Sequence, residues 1–132
     1  MPPFEEISAR PLEPRLLQLS GISRASVEAH YRLYQGYVAK RNEILGTLDG
    51  VDLGGANQVY SELRALKVDL TFAVGGIKNH ELYFAHLGGE GGDPDGGFRA
   101  LVERDFGSVE AWRSDLRATA LARCRERPAP RR

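Results

Sequence analysis

The chain has 132 residues, 42% of them hydrophobic, and its 18 Lys and Arg balance 18 Asp and Glu. That length fits one domain, or one small domain and part of another, and a zero formal charge shows neither the basic excess of a nucleic-acid footprint nor any attraction to a membrane surface. The lone Cys124 excludes an internal disulfide and a cysteine-cluster zinc site, and no apolar run approaches the ~20 residues that cross a bilayer.

The chain starts Met1-Pro2-Pro3-Phe4-Glu5-Glu6, with acids where a signal peptide needs basic and then apolar residues. A soluble, cytoplasmic protein is therefore expected. Residues 1–22 hold four prolines and little periodicity, which predicts an extended arm with a turn. Ser23 is a candidate N-cap, because its hydroxyl can accept from a free amide of a first helical turn. Val27, Tyr31, Tyr34, Val38 and Leu45 follow at steps of three, four and seven, the pattern of an amphipathic helix. The spacing predicts a helix over 23–48 that stops near Asp49-Gly50.

A turn is expected at 51–57, around Gly54-Gly55. A second stripe then runs through Leu63, Leu66, Leu70, Ala73, Ile77, His80 and Phe84, every step three or four. It predicts a long helix within 57–86 and, with the first, an antiparallel helical hairpin over 23–88. Gly75-Gly76 fall inside it. Each glycine costs about 1 kcal/mol against alanine in a helix, so a close backbone approach is expected there. Residues 89–97 are glycine-rich and predict a flexible linker. A short helix is expected over Phe98–Arg104. Ser108 should cap another, with Trp112, Leu116 and Leu121 inward. Residues 123–132 have no apolar face and are expected to be disordered. No strand and no internal repeat is predicted.

His30 and His80 lie on the inward faces of the two stripes. A histidine facing a helical core is ordinarily a hydrogen-bonded structural residue, yet inward histidines from two facing helices are also how bundle metal sites are built. His30 and Tyr37 are seven residues apart, hence within about 20° of each other around a regular helix, and Tyr34 lies between them. Such a row can line a polar pocket or be a core stripe whose hydroxyls reach solvent. His80-Glu81 is no zinc-protease motif, because position 84 is Phe and His86 falls on another face. His86 reads as an exposed helix-end residue. The acidic and glycine-rich residues 88–97 lack the later ligands of a calcium loop and the Lys-Ser/Thr of a phosphate loop.

Over roughly residues 11–122 the chain resembles the N-terminal part of iron/manganese superoxide dismutases. The resemblance rests on Glu28-Ala29-His30-Tyr31 with Gly36-Tyr37-Val38, on Gly75-Gly76-Ile77-Lys78-Asn79-His80, and on Glu103-Arg104-Asp105-Phe106-Gly107-Ser108. It implies a mostly α fold here: the long helical hairpin, then, at 98–122, the first helices of an incomplete α/β domain. It implies one Mn or Fe ion held by a His from each hairpin helix and an Asp and a His from the α/β domain. His30 and His80 would be the first two ligands. Tyr37 would be the tyrosine that guards the substrate channel, and Tyr34 falls where the family usually has a gateway histidine. The implied reaction is dismutation of superoxide to dioxygen and hydrogen peroxide, with a homo-oligomer expected for a full-length form.

Two departures stand out. The family spaces its first ligand and its tyrosine by eight residues, through a π-bulge, whereas His30 and Tyr37 are seven apart. A straightened helix keeps both on one face, while the competing alignment puts Ala29 at the ligand position. Gly76, four residues before His80, stands where iron-type members often carry glutamine and manganese-type members glycine, which hints at a manganese-type or cambialistic ancestry. The later Asp and His ligands have no counterpart, since no Asp follows Asp115 and no His follows His86. A truncated, impaired dismutase is therefore expected, with 123–132 as an out-of-frame or prematurely ended reading in a GC-rich gene, the alternative being an evolved disordered tail. The alternatives are a catalytically inactive helical-hairpin interaction module, and a bundle metal protein sharing His30 and His80 across a dimer.

Overall fold

The computed structural model describes residues 4–122, so the tail at 123–132, with Cys124, lies outside the described residues. Four α-helices form and, among the described residues, no strand. The chain divides into two compact units, one up to Gly89 and one from Glu90.

In the first unit, α1 (Arg24–Asp49) begins where expected, with Ser23 Oγ accepting from the Ser26 N–H at 3.1 Å. It ends at Gly50, whose N–H donates to the Thr47 carbonyl. α2 (Glu62–His86) starts five residues later than the earliest expected position. Asn57 is the reason: its Oδ1 accepts from the Val59 and Tyr60 N–H groups, both at 2.9 Å, which offers the backbone a local alternative to the helix. The buried Ser61 then caps α2 by accepting from the Arg64 N–H at 3.1 Å.

The two helices pack antiparallel, because the start of α1 meets the end of α2 and the reverse. At one end Val27, Tyr34 and Val38 pack with Ile77 and Phe84. At the loop end Ile44 and Leu48 pack with Ala73, flanked by Leu63, Leu66 and Leu70. Ile44 and Leu48 are the deep residues there, and the expected Leu45 is only partly buried beside them.

The expected extended arm contains a 3-10 helix, Pro14–Gln18, which buries Leu16 against the hairpin core. Before it, Asn42 pairs with the Ile7 backbone in both directions, accepting from its N–H at 3.3 Å and donating to its carbonyl at 2.9 Å. An asparagine side chain has the donor–acceptor pair of a peptide unit, so it can tie down a strand-like segment that has no sheet.

The second unit holds α3 (Gly96–Phe106) and α4 (Val109–Ala122). α3 is two residues longer at each end than expected. It takes in Gly96 and Gly97, and it ends at Gly107, whose φ of +84° suits glycine and whose N–H donates to the Glu103 carbonyl at 2.9 Å. Ser108 accepts from the Ala111 N–H, capping α4 as expected. Val102 and Val109 are buried, and Phe98 meets Trp112 edge to face at 5.8 Å. Leu116 and Leu121, expected inward, are 54% and 82% exposed. Two short helices meeting near their shared turn leave the far end of α4 without a facing element in its unit.

Candidate metal centre

The hairpin brings the predicted histidines together. Their register follows from the antiparallel packing: His30 is two turns into α1 and His80 two turns from the end of α2, so the helices carry both to one level. The ring centroids are 4.8 Å apart and the planes stand at 73°. Tyr83 lies 4.6 Å from His30 and Tyr37 lies 5.2 Å from His80, so the pair is walled by aromatic rings.

His80 Nδ1 is 2.7 Å from the Gly76 carbonyl, one turn earlier on α2. A carbonyl only accepts, so Nδ1 carries a proton, and Nε2 is the nitrogen left to donate to a metal. His30 is held below its ordinary pKa, first by burial and then by the neighbouring His80. Both effects favour a neutral imidazole, the form that donates to a metal.

Gly76 is where the close approach occurs. A Cβ there would stand 2.5–2.7 Å from three carbons of the Tyr37 ring. Gly75, expected to serve the same purpose, would meet nothing within 4 Å. Tyr37 therefore lies flat against the α2 backbone, reaching Phe72 at 5.8 Å on one side and His80 on the other.

Tyr34 lies on the inward face of α1, as its stripe predicts. It is 2% exposed. Its hydroxyl accepts from the Arg10 N–H and donates to Glu81 Oε1, both at 2.9 Å. Burial raises its pKa, the Arg10 N–H opposes that, and the Glu81 carboxylate raises it further. Its proton is thus committed to Glu81. The guanidinium of Arg10 reaches Glu81 Oε2 at 3.3 Å, and Tyr31 donates to the Arg10 carbonyl at 2.9 Å. A cleft of about 100 Å³ between arm and hairpin is lined by this group and includes neither histidine.

Arg10 and Glu81 were not legible as site residues. Glu81 could have been found as the residue beside a candidate ligand, but its partner Tyr34 is 47 positions away. His86 is exposed, as expected, and among the described residues bonds the Leu82 carbonyl of its own helix. No group of three or more His, Cys, Asp and Glu side chains converges among the described residues, so the histidine pair is at most half of a metal's donor set.

No protein-family model matches the chain. Individual proteins do. A superoxide dismutase [Fe] of Aquifex aeolicus is 43% identical over 109 residues, covering 79% of this chain and 51% of the relative. One from Cupriavidus metallidurans is 37% identical over 114 residues, 86% of this chain and 56% of its own. The chain belongs to the iron/manganese superoxide dismutase family. A mitochondrial superoxide dismutase [Mn] of Charybdis feriata, 33% identical over 94 residues, covers 70% of this chain and 40% of the relative. Iron or manganese is therefore the cofactor of the dismutase family. The chain spans about half the length of the curated relatives it matches.

Among the described residues no helix is long and apolar enough to cross a membrane.

Proposed function

We propose that this chain supplies the helical half of a superoxide dismutase centre, with His30 and His80 as two ligands of one Fe or Mn ion. The single observation carrying this reading is the 4.8 Å pairing of the two rings, with the Nδ1–H of His80 engaged and its Nε2 free. The donor set fits such an ion in part: two imidazoles suit iron or manganese, and no carboxylate joins them among the described residues.

His30 and His80 would hold the ion, which would supply a one-electron redox couple. The chain's own residues orient and insulate it. The Gly76 carbonyl anchors one edge of His80, and Tyr83 and Phe84 wall His30. Tyr37 is the phenol we assign to proton handling, because its hydroxyl has no hydrogen-bond partner among the described residues, whereas the proton of Tyr34 is held by Glu81. Superoxide is the proposed substrate.

Titration of the purified chain with Fe(II) or Mn(II), followed by calorimetry, tests the ligand assignment. One weak site per chain is expected, lost in His30→Ala and in His80→Ala. Binding that survives both substitutions would refute it.

A second reading, a hairpin that serves as an interaction module, is favoured by one feature. Leu33 and Phe72 are 61% and 70% exposed on the helices that carry the histidines. Failure of the metal titration, with a specific partner lost on Phe72→Asp, would favour it.

A further inference from the structure

We propose that Glu81 is a positioning residue for the histidine pair, acting through Tyr34. The inference rests on the reading of His80 as a ligand and adds a residue to it.

His80 and Glu81 are consecutive on α2, so their side chains leave the axis about 100° apart. Tyr34, from α1, spans that gap. Its ring lies nearly parallel to the His80 ring, at 21° and 6.4 Å, while its hydroxyl reaches Glu81 Oε1 at 2.9 Å. One residue of α1 is therefore held at its tip by the neighbour of the imidazole that its body faces. The tip is held from the other side as well, by the Arg10 N–H at 2.9 Å, and the Arg10 guanidinium closes the loop onto Glu81 Oε2 at 3.3 Å.

The Gly76 carbonyl fixes one edge of His80, but a single hydrogen bond leaves the ring free to tilt about it. Of the rings near His80, the Tyr34 ring is the one close to parallel with it. Tyr37 stands at 46°, Phe84 at 42° and His30 at 73°. A flat wall opposes tilt only if the wall itself is fixed, and the hydroxyl contacts of Tyr34 fix it. Glu81 thus sets the tilt of the His80 ring through Tyr34.

The test uses the full chain, labelled with 15N, and long-range 1H–15N correlation spectra of the histidine rings, with Co(II) titration as a second measurement. Wild type is expected to show His80 in one ring arrangement, with a proton held at Nδ1. Glu81→Ala and Tyr34→Phe should both blur this into mixed tautomers, and the double variant should go no further than either alone. Glu81→Gln, whose amide oxygen still accepts from Tyr34, should restore the single species. Tyr34→Phe keeps the ring and carries the test alone if Glu81→Ala does not fold. Co(II) should bind Tyr34→Phe about 10-fold more weakly than wild type, as for other groups that orient a ligand. A His80 spectrum unchanged in Tyr34→Phe, or effects that add in the double variant, would overturn the role of Glu81. A wild-type chain that binds no Co(II) would overturn the ligand reading instead, and the ring spectra would still decide what Glu81 does.

Discussion

Replacing Gly76 by alanine is the sharpest probe of the site's packing, and Gly75 provides its control on the same helix. A Cβ at Gly76 would enter the Tyr37 ring at 2.5–2.7 Å, about 1 Å inside ordinary contact, and α2 backbone lies behind it. Overpacking of this kind costs about 1–3 kcal/mol. Against it stands the gain of about 1 kcal/mol when alanine replaces glycine in a helix. Gly76→Ala should therefore destabilise by up to about 2 kcal/mol. Gly75→Ala meets nothing within 4 Å and should stabilise by up to about 1 kcal/mol. Urea unfolding followed by circular dichroism measures both. Combining Gly76→Ala with Tyr37→Ala removes the clash, so in that background the alanine should become stabilising. Equal stability of Gly75→Ala and Gly76→Ala would show that the Tyr37 ring does not lie against α2, and the argument for the aromatic wall would fail with it.

Three further outcomes are expected. The folded pKa of His30 is lowered, so below its ordinary value of about 6.5 the unfolded chain binds more protons than the folded one. This contribution to stability is fully present above that pH and is lost as the pH falls through it. His30→Gln should flatten the slope of urea stability with pH in that range, and parallel profiles would refute the assignment. Asn42→Ala removes both hydrogen bonds to Ile7 and should speed amide exchange at residues 5–9 by about 10-fold while leaving α2 protected. Finally, two imidazoles with no third ligating side chain converging on them among the described residues should leave the purified 132-residue chain with weak Fe or Mn binding and little dismutase activity. Tight stoichiometric metal with rapid dismutation would contradict that.

Periodicity and capping chemistry were enough to place the hairpin. Steps of three and four residues define which face of each helix is apolar, and Ser23, like Ser108 before α4, is a local signal that acts over three residues. The pairing of His30 with His80 was legible for the same reason, since each occupies a position on its own stripe and antiparallel helices bring such positions level. What tertiary structure alone decided is how residues on one stripe divide their roles. Tyr34 and Tyr37 are three apart and both fall in the row with His30, yet one is buried under Arg10 and Glu81 while the other lies on Gly76. Gly75 and Gly76 look equivalent too, and a rotation of about 100° about the α2 axis separates a glycine in open space from one pressed by a ring. The docking of the arm through Ile7, Arg10 and Leu16 has no periodic signature, because it depends on contacts with residues more than twenty positions away. Spacing along the chain sets the direction of a side chain relative to its own helix. The rotation of one helix against another, and the segment laid across them, set what that side chain meets.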